Sequence, residues 1–153
     1  MKTKAFSLLL LLNIALLSAA TAASLPHSFT LKRRSIKSAL ITSVLNKIEY
    51  NFSSSAIRPA YLQKLDQLAI VLIQNKSALS LRGYADSIGN YTANWHLSEK
   101  RAIVVKAYLV KKGVDTNHVI TTPFGSTKPI ASNETPQGRQ MNRRVEVRIS
   151  DTE

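Results

Sequence analysis

Residues 79–102 read LSLRGYADSIGNYTANWHLSEKRA, and this stretch decides the fold. Leu79, Leu81 and Gly83 alternate with Ser80, Arg82 and Tyr84, the period of two expected of a half-buried strand. Asp86 to Asn90 then form a polar loop. From Tyr91 the pattern lengthens, and the spacing predicts a helix running to Lys112. Lys111 and Lys112 place cations at its negative end, and Gly113 supplies a left-handed stop.

The flanks extend this unit on both sides. Upstream, Ile48, Tyr50 and Phe52 alternate with Glu49 and Asn51, a first core strand that Ser53–Ser55 breaks. Pro59 suits the first position of a helix, where its missing N–H has no intrahelical partner to lose. Leu62, Leu65, Leu68, Ala69 and Leu72 follow at helical spacing, so a helix is predicted to Gln74. Further back, Ile36, Leu40, Ile41, Val44 and Ile48 allow a short amphipathic helix. Downstream, His118–Thr122 reads as a third strand, Ser126–Gln140 as a polar loop, and Val145, Val147 and Ile149 as a last strand. The order β-α-β-α-β-β over residues 48–150 predicts an α+β domain: a single mixed sheet with helices packed on one face.

With 153 residues, 44% of them hydrophobic, the chain has room for one such domain with a true core. Residues 1–22 read as a signal peptide: Lys2 and Lys4, an apolar run from Leu8 to Leu17, and the small-residue cleavage pattern Ala20-Thr21-Ala22. Residues 23–47 form a basic extension, and 151–153 a tail. Removing Lys2 and Lys4 takes the net charge from +12 to 12 − 2 = +10. Lys32, Arg33, Arg34, Lys37 and Lys47 all precede the first acid, Glu49. In the cytoplasm that balance would suggest nucleic acid; export removes this partner. An anionic envelope surface, or plain solvation of the arm, are the two readings left. The absence of cysteine rules out disulfides, thiolate metal sites, a cysteine nucleophile and a lipidated cysteine within these residues. His27, His96 and His118 lack metal-site spacing, and Ser98 has no base in reach by sequence.

One residue in the long helix does not fit a plain core. Leu97, Arg101, Val104, Val105 and Tyr108 share a face, with Asn94 one turn earlier. A guanidinium in a buried stripe needs partners. Asp86, in the loop that feeds the helix, is the obvious acid. An Asp86–Arg101 ion pair, an Asp86 loop cap and a ligand site at the rim are all compatible with this spacing.

Several motifs narrow the choice. Gly83-Tyr84-Ala85-Asp86, Ser87-Ile88-Gly89, Asn94, Leu97-Ser98-Glu99-Lys100-Arg101-Ala102, Tyr108-Leu109, Gly113, Gly125, Pro129, Asn133, Gly138-Arg139 and Asn142-Arg143-Arg144-Val145-Glu146-Val147 closely resemble the OmpA-like C-terminal domain family, in order and over about residues 48–150. The resemblance implies non-covalent binding of peptidoglycan through the meso-diaminopimelate of its stem peptide. Asp86 and Arg101 would grip the free amino-acid end of that residue, Asn94 would assist, and Arg143 would line the site, with Arg144 either beside it or on the surface. Phe52 and Ser53 would offer main-chain groups. Two positions depart from the common pattern: Ser53 stands where Asp or Asn is frequent, and Ala85 where Thr or Ser is. No cofactor, metal or catalytic residue is implied. A wall hydrolase would need a zinc triad or two facing carboxylates, and only Asp86 and Glu99 come near the groove. The expected place is the periplasm, associated with the outer membrane, linking wall to envelope. The alternative is a wall-docking subunit of a larger secretion or motor complex, held to an envelope protein through residues 24–47.

Overall fold

A computed structural model of the chain describes residues 45–150. The signal segment, the basic extension up to residue 44 and most of the amphipathic stretch from Ile36 lie outside the described residues.

Strand β2 (Ala78–Gly83) follows the alternation read from its sequence: Leu79, Leu81 and Gly83 are buried, while Ala78, Ser80 and Arg82 are partly open. It pairs antiparallel with β4 (Arg144–Ser150), which sets Leu81 opposite Val147 and Gly83 opposite Val145. On its other side it pairs in parallel with β3 (Val119–Pro123). Strand β1 (Lys47–Glu49) adds antiparallel to β4, so the order is β1-β4-β2-β3 and the sheet is mixed. A parallel pair needs a crossover, and helix α2 (Tyr91–Lys111) provides it between β2 and β3. Helix α1 (Leu62–Asn75), preceded by a 3-10 turn at Pro59–Tyr61, packs beside α2.

The core lies between this helical layer and the sheet. It joins Leu65, Leu68 and Leu72 of α1, Ala102, Val105 and Leu109 of α2, and Ile48, Leu79, Leu81, Val145 and Val147 of the strands. Leu45 is also buried there and Lys47 already pairs with Glu146, so the domain starts a little before residue 48. Ile48 is a strand residue, not the end of a helix.

Both ends of helix α2 are capped, and of the two caps only the second is anticipated from the sequence. Asn90 accepts from the Ala93 N–H (2.7 Å) at its start, and Gly113 stands at φ +98° just past its end. The buried line is rotated slightly from the one read in sequence: Asn94, Ser98, Arg101, Ala102, Val105 and Leu109 are buried, while Leu97, Val104 and Tyr108 are only partly so. Close approach causes the rotation. A Cβ on Gly83 would sit 2.0 Å from the Ser98 carbonyl oxygen, so strand and helix touch backbone to backbone. Gly125 (φ +52°) closes the other side, donating its N–H to Ser98 Oγ (2.9 Å).

Two further expectations are corrected. The stretch read as a polar loop, Ser126–Gln140, contains the start of a short helix, α3 (Pro136–Asn142). Thr135 Oγ1 accepts from the Gly138 N–H (3.0 Å) and Pro136 takes the first helical position, a start signal obscured by the surrounding polar residues. The first strand also stops earlier than its alternation suggests. Tyr50 is fully buried, but Ser53 at φ +52° turns the chain and leaves Phe52 61% exposed.

Candidate functional site

The turn that ends β1 and the loop that follows β2 meet over the first half of α2, and Arg101 fastens them together. Its side chain is fully buried. Nε donates to the Ser54 carbonyl (2.8 Å), Nη1 to the Tyr84 carbonyl (2.8 Å) and Nη2 to the Asn51 carbonyl (3.3 Å). Below, the guanidinium lies 5.2 Å from the centre of the Tyr50 ring, a cation–π distance. Guanidinium has five N–H groups; three are engaged, leaving 5 − 3 = 2. Burial pushes its pKa down to about 10, a shift opposed by Tyr50 and by Asp86, so it remains a cation at neutral pH. Burial also raises the Tyr50 phenol, which stays neutral and points its O–H at the Arg101 carbonyl (3.4 Å).

Asp86 is not the ion-pair partner of Arg101. Its Oδ2 meets Arg143 Nη1 at 2.7 Å, and its Oδ1 accepts from the Ile88 N–H (3.2 Å). The reason is topological. Tyr84 N–H bonds the Arg144 carbonyl (2.9 Å), and Tyr50 N–H bonds the Arg143 carbonyl (2.8 Å). The entry to β4 is thereby clamped between β1 and β2, which brings Arg143 alongside Asp86. Arg143 Nε also donates to the Tyr50 carbonyl (3.2 Å), and its Nη2 donates to Gln140 Oε1. Gln140 in turn donates to the same Tyr50 carbonyl (3.2 Å), so it holds the Arg143 fork in place. Asn94 donates from Nδ2 to the Asp86 main-chain carbonyl (3.2 Å). Its amide oxygen accepts nothing from the described residues.

These groups surround a pocket of about 300 Å³. All six site residues expected from sequence line it: Phe52, Ser53, Asp86, Asn94, Arg101 and Arg143. Ile88, Gly89, Ala93 and Leu97 complete the wall and were not foreseen. Gln140 was missed because α3 was missed: it sits three residues before Arg143 on that helix. Arg144 does not join the pocket, nor is it on the surface. It is 2% exposed, lies 3.7 Å over the Tyr84 ring and forks onto Glu146 Oε1 (Nε 3.1 Å, Nη2 2.8 Å). Tyr84 stacks its other partner, Phe124, at 5.0 Å. Ser98 is wholly buried and serves structure, donating to the Trp95 carbonyl (2.7 Å). Among the described residues no helix is long and apolar enough to cross a membrane.

A sequence model of the OmpA family matches residues 49–143. The chain belongs to the OmpA family. The span matched to the OmpA family contains every one of the six expected site residues. Outer membrane protein A of Bordetella avium is 46% identical over 105 residues, covering 65% of this chain and 52% of the relative. The peptidoglycan-binding protein ArfA of Mycobacterium bovis is 36% identical over 116 residues, covering 75% of this chain and 36% of the relative. This OmpA-family chain thus spans about half or less of the curated relatives it matches. In fold it is similar to the peptidoglycan-associated lipoprotein of Burkholderia pseudomallei, with a TM-score of 0.67 at 24% identity, over 69% of this chain and 90% of that one.

Proposed function

We propose that this domain binds peptidoglycan non-covalently, by gripping the free amino-acid end of meso-diaminopimelate in the stem peptide. The observation that carries the reading is the convergence of Arg101, Arg143 and Asp86 with Asn94 around one small pocket. Two cations against one anion give the pocket a formal balance of +1, suited to a ligand with a carboxylate beside an ammonium. Asp86 accepts from the ammonium. Arg101 offers its remaining N–H groups, and Asn94 its amide oxygen. Charge-assisted bonds of this kind contribute roughly 1.5–3 kcal/mol each when shielded from water, and Asp86 and Arg101 are buried enough for that. A pocket near 300 Å³ is at the small end for ligand sites and fits one amino-acid end, not a folded substrate.

Binding, and not catalysis, is the role that fits. Among the described residues Asp86 is the sole carboxylate in the pocket wall. Glu99 lies outside that wall, 3.7 Å from His96, so among the described residues no second carboxylate faces Asp86 across the pocket as a glycosidase would require. Placement in the envelope, with the wall held non-covalently, follows from the same reading and from the peptidoglycan-binding relative. Single-site affinity is modest, but a wall repeats the stem many times and retention benefits from that repetition.

The test is a ¹H–¹⁵N NMR titration of the full chain with meso-diaminopimelate, beside co-sedimentation with purified wall. Shifts confined to Asp86, Asn94, Arg101 and Arg143, absent in Asp86→Asn, are expected. A folded wild type with no shifts and no sedimentation would end this reading.

A further inference from the structure

A second cleft of about 310 Å³ adjoins the first and shares Phe52, Ile88 and Arg143 with it. Its own contributions are Pro136 and Arg139. Two features set its chemistry. Its wall is apolar and open to solvent, with Phe52 61% and Ile88 48% exposed. Among the described residues its only charged groups are two guanidiniums, with no carboxylate in the lining.

The two arginines differ in what they have left to offer. Arg143 is already matched to Asp86 (2.7 Å). Arg139 uses a single nitrogen, Nη1, on the neutral carbonyls of Asn133 (2.6 Å) and Glu134 (3.0 Å). Among the described residues no carboxylate pairs with Arg139, and its Nε and Nη2 have no partner. A half-buried cation with two free donors beside an apolar wall is built to receive a carboxylate on a small apolar group.

We infer that this cleft is a second subsite, which takes a free carboxylate of the stem residue next to the one held in the first pocket. The inference rests on the diaminopimelate reading of that pocket. Two carboxylates on a stem peptide have this chemistry: the α-carboxylate of the γ-linked glutamate, and the C-terminal carboxylate of the alanine that follows. Either would meet Arg139, while its methyl or methylene groups cover Phe52, Ile88 and Pro136. The domain then reads two consecutive stem residues, and a peptide binds more tightly than the free amino acid.

Calorimetric titration of the full chain tests this with four ligands. They are meso-diaminopimelate, the tripeptide L-Ala-γ-D-Glu-diaminopimelate, the same tripeptide with its glutamate α-amidated, and the tetrapeptide ending in D-Ala. A partly exposed ion pair corresponds to about a fivefold gain in affinity. Wild type should favour tripeptide or tetrapeptide over the free amino acid by about that factor. Loss of the gain on amidation assigns the glutamate carboxylate; a gain that appears only with D-Ala assigns the terminal one. Arg139→Gln should erase the gain and leave affinity for free diaminopimelate within about twofold. Because Arg139 also braces its own loop, Pro136→Glu provides a second test. It places an acid in the cleft at a helix position that tolerates one, and should erase the gain in the same way. A peptide gain that survives both variants, or no gain in wild type, overturns the subsite while leaving the first pocket standing. No binding of free diaminopimelate or of any peptide to wild type would instead remove the underlying reading.

Discussion

Replacing Arg101 by lysine keeps the charge and removes the fork. The guanidinium reaches three carbonyls from three segments: Asn51, Ser54 and Tyr84. An ammonium on a flexible stem reaches one of them, so two lose their donor. A buried carbonyl without a partner costs ~1–3 kcal/mol. The turn carrying two of the three is largely open, with Asn51 and Phe52 exposed, so water replaces part of the loss and the lower figure applies. Arg101→Lys should therefore destabilise by about 2 kcal/mol, which in a domain of this size lowers Tm by ~8–16 °C. Urea unfolding followed by circular dichroism gives the free energy, and wall co-sedimentation well below Tm gives function. Binding should fall by roughly tenfold or more, because lysine lacks the planar fork that matches a carboxylate. Unchanged stability would refute the claim that Arg101 fastens the loops. Lower stability with unchanged wall binding would reduce Arg101 to a structural strut and sink the ligand role assigned to it.

Asp86→Asn should abolish wall co-sedimentation while costing only about 1–2 kcal/mol by urea unfolding, since Arg143 keeps its bonds to Tyr50 and Gln140. Gly83→Ala should be among the most damaging single-methyl changes: the new Cβ would lie 2.0 Å from the Ser98 carbonyl. A loss of about 3 kcal/mol or more, or failure to fold, is expected from such overpacking; a wild-type Tm would show that α2 can shift freely. The Asp66 carboxyl is held below its usual range by hydrogen bonds from Lys112 and Tyr108. Its folded pKa is thus lower than its unfolded one, so its contribution is present above pH ~4 and lost as pH falls through the folded value. Tm measured from pH 6 to pH 2 should fall less steeply in Asp66→Asn than in wild type; equal slopes would mean that this clamp between α1 and α2 adds nothing. Arg144→Ala would leave Glu146 without its forked partner and bare the Tyr84 ring; a loss of about 2 kcal/mol or more by urea unfolding is expected.

The residues by themselves determined the layer plan. Periods of two and 3.6 do not depend on partners, so β2, α2 and β4 were legible within a residue or two, while α1 opens with a 3-10 turn at Pro59 and becomes α-helical only at Leu62. The end of α2 was legible too, because Gly113 and the lysines before it act locally. That Arg101 needed partners followed from charge and spacing alone, and the family motifs named the residues that share its pocket. Tertiary structure decided which partners it took. Antiparallel pairing of β4 between β1 and β2 delivered Arg143 to Asp86, whereas Arg101 went to three carbonyls. It also decided which face of α2 is buried, since that depends on how closely a side-chain-free Gly83 lets the helix approach. Phe52 shows the limit most simply. Its place in an alternating run marks it as core, yet a left-handed turn at Ser53 puts it on the rim of both clefts. Such a turn is a compromise with loops far away in sequence, held by Arg101, and no local pattern records it.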